Sequence, residues 1–126
     1  MDAATAAILK PWFPGLDLEK VRIVTSGPGC WFVRTIIRQG AMTVAPFVFF
    51  GKDTFDPTKA SSLALVAHEL KHIEQYRQMG HLRFLTTYLR DRRRAGGYRR
   101  DLPLEVEPYA LQRVVREALR QQGLPD

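Results

Sequence analysis

The chain has 126 residues, of which 45% are hydrophobic, and this composition predicts one domain, residues 1–126, with its own core. The formal net charge of +6 suggests a surface that binds nucleic acid or an anionic membrane. Whether this holds depends on where the charges lie in the chain. Cys30 is the only cysteine, no apolar run approaches transmembrane length and the N-terminus lacks the pattern of a signal peptide, so we expect a soluble, cytoplasmic protein without an internal disulfide.

The N-terminal half is predicted to begin with a short helix and to continue with strands. Residues 2–10 carry a weak helical pattern that prolines and a glycine then break. The alternation in residues 21–25 predicts a strand that ends in a turn at residues 26–29. Residues 30–38 are rich in aromatic and β-branched side chains, which predicts a second strand.

Residues 41–50 are the most strand-like stretch of the chain, although Pro46 interrupts them. Because proline cannot donate a hydrogen bond to a sheet, we predict an edge strand or a bulge there. An edge strand beside an active site would offer free backbone groups to which an extended peptide substrate can pair. The alternative is an ordinary core strand whose three phenylalanines are divided between core and surface.

A long helix is predicted next. Asp56 and Pro57 indicate an N-cap and a first helical position, Gly80 indicates the end, and no helix breaker falls between residues 58 and 79. Two apolar or aromatic stripes on nearly opposite sides predict that this helix passes through the middle of the domain. One stripe consists of Leu63, Val66, Ala67, Leu70 and Ile73, and the other of Leu65, His68, His72, Tyr76 and Met79.

This helix carries His68-Glu69-Leu70-Lys71-His72, which is the HExxH pattern of zinc peptidases. His68 and His72 lie one helical turn apart on one face, where two ring nitrogens can bind one zinc ion. Glu69 lies on the flank of that face, where it can reach a metal-bound water as a general base without ligating the metal. Two buried histidines without partners would be costly, so the motif predicts a zinc site in preference to satisfied core histidines.

Two further helices are predicted after Gly80. The first spans residues 81–94, and Leu82, Leu85 and Leu89 have the spacing of a packing face. His81 begins this new element after the glycine, so we expect it on the surface and not in the metal site. The last helix is predicted to be capped by Asp101 and to close at Gly123. Its predicted buried stripe is Leu111, Val114, Val115, Ala118 and Leu119.

The excess positive charge is concentrated between residues 83 and 100, where Asp91 is the only acidic residue in a run of arginines. This run consists of Arg90, Arg92, Arg93, Arg94, Arg99 and Arg100. Cations in the last turn of a helix complement the helix dipole, and Gly96-Gly97 indicates a helix end there. We therefore favour a solvated helix end over a nucleic-acid site.

A catalytic zinc usually holds three protein ligands and a water, so two histidines leave one protein ligand to be found. Glu105 and Glu107 stand at the start of the last helix and point about 200° apart on a regular helix, so only one of them can face the metal. Cys30 has apolar neighbours and is interpreted as a buried thiol; the alternative is a fourth ligand that blocks the water position.

Together with HELKH, the segment Leu104-Glu105-Val106-Glu107-Pro108-Tyr109-Ala110 resembles the small gluzincin-type zinc metallopeptidases, including minigluzincins, and the peptidase-like domains of bacterial contractile-injection clusters. The resemblance covers roughly residues 21–119. It implies an α+β, zincin-like fold in which a small N-terminal β-sheet precedes the HExxH helix and a helical C-terminal half. Matched to the E-x-x-A or E-x-E-A pattern of those families, it implies Glu105 as the third ligand. Pro108 departs from that pattern and would kink or delay the helix.

The resemblance further implies a zinc metallopeptidase that hydrolyses a peptide or protein substrate with a metal-activated water and Glu69 as the catalytic base. Its metal ligands would be His68, His72 and Glu105. Tyr98 or Tyr109 would donate to the developing oxyanion; alternatively, each lies at the edge of the core. The rival function is a non-catalytic zinc-binding regulatory module whose basic surface binds nucleic acid or an acidic partner. An intact Glu69 argues against it, because purely structural zinc binding needs no base.

Overall fold

The computed structural model describes residues 1–37, 40–51 and 55–126 and confirms the predicted α+β fold. A three-stranded sheet in the N-terminal half is followed by three long helices. The strands are β1 (Arg22–Val24), β2 (Ala41–Val44) and β3 (Phe47–Phe50). The α-helices are α1 (Ala3–Leu9), α2 (Pro28–Phe32), α3 (Ala60–Met79), α4 (His81–Arg94) and α5 (Pro103–Gln121). Within this part of the chain, no helix combines the length and the apolar character needed to cross a membrane.

The sheet has the order β1-β3-β2, with β1 parallel and β2 antiparallel to the central strand β3. The prediction of a single strand over residues 41–50 was therefore wrong, because Pro46 lies in a turn that separates β2 from β3. The bond between Ala45 and Pro46 is cis. The described part of β2 is nevertheless an edge strand, and it packs beside α3.

The strand predicted for residues 30–38 was also wrong. Its described part is helical: α2 continues into a π-helical turn at Val33–Ile37, while residue 38 lies outside the described residues. Gly27 has a φ of 95° and Pro28 stands at the first helical position, which starts a helix in spite of the β-branched and aromatic side chains. Cys30 and Val33 are buried, three residues apart as on one helix face. The buried thiol of Cys30 lies 3.0 Å from the Val24 carbonyl oxygen.

Helix α3 begins later than the sequence indicated. Lys59 stands at its N-cap, whereas Asp56 accepts a hydrogen bond from the backbone N–H of Thr58 at 2.9 Å in a turn before the helix. Gly80, with a φ of 82°, ends the helix as predicted. The core-facing stripe of α3 is buried as predicted, and the helix packs along α5 and β2.

The bounds predicted for α4 are confirmed, but its predicted packing face is wrong. Leu82 and Leu89 are 78% and 59% exposed, whereas Phe84 is buried. The ring of Phe84 stacks on Tyr76 of α3 with centroids 3.9 Å apart. The large aromatic side chain buries more apolar surface than the leucines would, so it decides which face of α4 meets α3.

Leu102 is the N-cap of α5. The prediction that Asp101 caps this helix was wrong, because Asp101 instead forms an ion pair with Arg99 at 2.9 Å. The helix passes Pro108 without interruption, so the proline does not delay it. The predicted stripe was correct for Val115 and Leu119, which are buried, and wrong for Val114, which is 56% exposed. The buried positions of this helix are Glu105, Pro108, Val115 and Leu119.

Substitutions on α5 test this face. We expect Leu119→Ala to lower the free energy of unfolding by about 2–5 kcal/mol, because it opens a cavity in the core. Val114→Ala on the exposed side of the same helix should lower it by less than about 1 kcal/mol. Urea unfolding measures both changes, and equal losses would contradict the face that the structure assigns to α5.

Candidate metal centre

Three buried side chains from two helices converge on one point. His68 and His72 extend from α3, and Glu105 extends from the first turns of α5, which packs along α3. Glu105 Oε1 lies 3.1 Å from His68 Nε2 and 2.6 Å from His72 Nε2. One ligand-type atom from each residue lies within 4.8 Å of the others, so His68, His72 and Glu105, hereafter the metal group, could hold a metal ion.

Glu107 lies apart from this group. Its side chain is exposed, and its Oε2 is 3.7 Å from Lys71 Nζ. Of the two acids at the start of α5, the structure therefore brings Glu105 to the histidines, as the family resemblance implied. His81 is exposed on the surface, where its Nε2 lies 2.9 Å from the Ala45 carbonyl oxygen.

Pro108 has a consequence for His72. Because proline lacks an N–H, the carbonyl of Leu104 four residues earlier has no helical donor, and the Gln75 side-chain amide donates to it at 3.0 Å. This bond fixes the orientation of the amide and leaves its oxygen 2.8 Å from His72 Nδ1. Since an amide oxygen only accepts, Nδ1 must carry a proton, and Nε2 is the nitrogen that faces Glu105.

His68 is held in a similar way from α5. The side-chain oxygen of Gln112 lies 2.9 Å from His68 Nδ1, on the side of the ring away from Glu105. The ring of Tyr109 meets the His68 ring edge-on, with centroids 4.4 Å apart. Metal-binding histidines usually donate their second N–H to such an acceptor, which fixes both the tautomer and the ring orientation.

The donor set fits a zinc ion. With protons on both Nδ1 atoms, the two Nε2 lone pairs and Glu105 Oε1 face one another, and they repel unless a cation lies between them or the rings take up further protons. Tetrahedral bonds of about 2.0–2.1 Å place neighbouring ligand atoms about 3.3 Å apart. The 3.1 Å separation at His68 is close to this value, and a small outward movement of His72 would bring its 2.6 Å separation there.

Without a metal, Glu105 and His72 stabilise each other's charged forms. Burial raises the pKa of Glu105, but the hydrogen bonds from His68 and His72 outweigh this effect and hold that pKa well below its usual range. Burial lowers the pKa of His72, but its hydrogen bond with Glu105 and the charge of Glu69 raise it above its usual value overall. Metal binding at this group therefore competes with protons.

The second oxygen of Glu105 is occupied by α4. Tyr88 donates its hydroxyl to Glu105 Oε2 at 3.1 Å, which leaves Oε1 for the histidines or a metal. Burial and the nearby Glu105 charge raise the pKa of Tyr88 far above its usual value, so the hydroxyl remains a donor. All three members of the metal group thus have a hydrogen-bonding partner on the side away from the centre.

Glu69 is buried beside the metal group and is held by the edge strand. Its Oε2 accepts a hydrogen bond from the Thr43 hydroxyl of β2 at 2.5 Å. The Thr43 carbonyl accepts in turn from the Tyr76 hydroxyl at 3.1 Å. Burial and the nearby charge of Glu69 raise the pKa of Tyr76 to about 12, so this hydroxyl also remains protonated at neutral pH.

A cleft of about 380 Å³ opens above the metal group. One wall is the edge strand with Ala41, Met42 and Thr43, and the other is α4 with Leu85, Tyr88 and Leu89. Tyr98 and Tyr109 also line the cleft, and their hydroxyl groups contact each other. The structure thus brings both predicted oxyanion donors to the cleft.

Most of the basic run is exposed to solvent, and part of it also lines the cleft. Arg93 and Arg94 are exposed near the end of α4, and Gly96 and Gly97 follow with φ values of 81° and 139°, as a helix end requires. Arg92, which is partly exposed, and Arg100, which is exposed, also line the cleft, a position that the sequence did not predict.

A family model of the eCIS core domain matches residues 1–80 of the chain. The chain belongs to the eCIS core domain family. The abbreviation stands for extracellular contractile injection system, so the part of the predicted resemblance that concerned contractile-injection clusters is confirmed. The matched segment contains the sheet and the two histidines of α3, whereas Glu105 lies beyond it. No curated protein and no solved structure matches the chain significantly.

Several side chains that contact the metal group were not predicted from the sequence. Two of them could have been found from their spacing. Gln75 lies three residues after His72 on the same face of α3, and Gln112 lies seven residues after Glu105 on the same face of α5. Tyr88 lies four residues after Phe84, but the leucine spacing of α4 obscured that face. Thr43 had no local signal, because its contact with Glu69 crosses from the sheet to α3.

The two acids at the start of α5 can be compared directly in the eCIS core chain. We expect the wild-type protein to bind about one zinc ion and Glu105→Gln to lower zinc affinity strongly, because it removes an anionic ligand. Glu107→Gln should leave affinity unchanged, since that side chain is exposed. Elemental analysis and chelator competition measure both. Loss of zinc in Glu107→Gln alone would contradict the arrangement of the centre.

The orientation of His72 gives a second prediction. We expect Gln75→Ala to weaken zinc binding by roughly 10–100-fold, the usual effect of removing a group that orients a metal-binding histidine. Pro108→Ala should produce part of this loss, because the restored N–H competes with Gln75 for the Leu104 carbonyl. Gln78→Ala, at an exposed position on the same helix, is the control. Equal affinity in all variants would show that Gln75 does not orient the ring.

Proposed function

We propose that this eCIS core protein is a zinc-dependent peptidase of the gluzincin type. His68, His72 and Glu105 would hold the metal, and Glu69 would act as general base. The observation that carries the proposal is the convergence of three zinc-ligand side chains at a cleft in which a buried carboxylate, outside the ligand set, is held beside them. Two histidines from one helix and a glutamate from a later helix are also the ligand pattern that the family resemblance implied.

The proposed chemistry divides between the metal and the chain. A zinc ion bound at this group would act as a Lewis acid, polarising the scissile carbonyl and lowering the pKa of a bound water to about 7. Glu69 would accept the proton of the attacking water and later deliver it to the leaving amine. The hydrogen bond from Thr43 holds one oxygen of Glu69, while its other oxygen has no hydrogen bond to the described residues.

The substrate is proposed to lie as an extended peptide between β2 and α4. The edge strand offers backbone groups for pairing, although the Thr43 carbonyl is already occupied by Tyr76. Tyr98 and Tyr109 are the proposed donors to the oxyanion, since both line the cleft and the Tyr109 ring contacts His68.

The number of protein ligands gives less support to the rival function, a non-catalytic zinc-binding regulatory module. Structural zinc sites are normally closed by four protein ligands, whereas catalytic sites keep a position open for water. Among the residues that the structure describes, three ligand side chains converge, and the group borders a cleft. Cys30 does not belong to this group, so the alternative of a fourth, blocking ligand has no support.

The role of Glu69 can be tested separately from metal binding. We expect Glu69→Gln to keep zinc content near wild type, because Glu69 is not a proposed ligand, and to lower peptide hydrolysis by about 10²–10⁴-fold, the usual effect of removing a positioned general base. Digestion of a peptide library, read by mass spectrometry, measures activity. Glu74→Gln, on the same helix but partly exposed, is the matched control.

Two outcomes would contradict the proposal. Hydrolysis that survives unchanged in Glu69→Gln would remove that residue from the reaction. A zinc-loaded wild-type protein that cleaves no member of a diverse library would favour the regulatory module.

A further inference from the structure

Two arginines lie near the metal group, each separated from it by one tyrosine side chain. Arg92 follows Tyr88 by one turn of α4, and the Tyr88 hydroxyl bonds to Glu105. The guanidinium carbon of Arg100 lies 5.1 Å from the centre of the Tyr109 ring. That ring packs edge-on against His68. Both positive charges are therefore at the cleft, close to where the proposed reaction takes place.

Among the described residues, Arg92 and Arg100 have no acidic partner, whereas Arg90 and Arg99 do. Arg90 pairs with Asp91 and Arg99 pairs with Asp101. No ion pair joins Arg92 or Arg100 to an acid of the described residues. The acids of the cleft are also engaged elsewhere. Glu69 accepts from Thr43, and Glu105 accepts from Tyr88 and contacts both histidines. The cleft therefore presents positive charge that a ligand can neutralise.

We propose that Arg92 and Arg100 bind a substrate carboxylate near the scissile bond, so that the protein prefers peptides that present a carboxylate there. This inference rests on the proposed peptidase function and names its substrate class. A guanidinium presents a planar set of N–H donors that matches a carboxylate, and Arg92 is only partly exposed, which strengthens such a pair. The carboxylate can come from an Asp or Glu side chain or from the C-terminus of the peptide, and the same chemistry recognises both.

A binding experiment tests this without turnover. Fluorescence anisotropy is measured with zinc-loaded protein carrying Glu69→Gln and four forms of one short peptide. The central residues are either acidic or replaced by their amides, and each form has a free or an amidated C-terminus. The same titrations are repeated with Arg92→Gln plus Arg100→Gln. Arg93→Gln plus Arg94→Gln is the matched control, because it removes the same charge from exposed positions on α4.

We expect one type of carboxylate to tighten binding at least about tenfold, as a charge-assisted hydrogen bond does. The double substitution at residues 92 and 100 should abolish this preference, and the control should keep most of it. Dependence on side-chain carboxylates would indicate internal acidic sites, and dependence on a free C-terminus would indicate removal of terminal residues; either supports the inference.

The opposite results would overturn it. They are no binding, equal binding of all four peptide forms, or equal loss in the two double variants, which would indicate only the general charge of the surface. Hydrolysis with Glu69 intact separates this inference from the proposed function. Equal cleavage of all four peptide forms would support the peptidase and overturn the preference. Carboxylate-dependent binding of either type without any cleavage would support the preference and overturn the peptidase.

Discussion

The contact of Glu105 with His68 and His72 is the interaction on which the rest of the site depends. It joins α3 to α5 at their buried surfaces, where an unpaired carboxylate or imidazolium would be costly. Apolar packing of Val115 and Leu119 holds the same two helices together further along α5. His68, His72 and Glu105 therefore need not stabilise the pair of helices, and their side chains can take the arrangement that a metal requires.

The surrounding residues restrict this geometry from several elements. Gln75 orients His72, Gln112 lies against His68, and Tyr88 of α4 holds the second oxygen of Glu105. Pro108 contributes through a missing N–H, because it frees the carbonyl to which Gln75 is anchored. Pro108, which departs from the pattern of the gluzincins that the sequence resembles, thus supports the candidate metal site. Such preorganisation is what a metal centre at the floor of a cleft requires.

Local periodicity explains which features could be predicted from the sequence. The His68–His72 spacing, the end of α3 at Gly80 and the bounds of α4 depend on neighbours within a few turns. Other features depend on distant contacts. Burial of Phe84 against Tyr76 overrode the leucine spacing of α4, and a helical start at Pro28 overrode strand propensity in the following residues. The position of Arg92 and Arg100 at the cleft likewise requires the packing of α4 and α5.

The central claim is that His68, His72 and Glu105 form a zinc centre. Anomalous diffraction at the zinc absorption edge, from crystals of protein purified with zinc, tests it most directly. We predict one strong peak about 2.0–2.1 Å from both Nε2 atoms and from Glu105 Oε1, with both Nδ1 atoms still bonded to their glutamine oxygens. Absence of a peak there, with Glu105 still in direct contact with both rings, would contradict it.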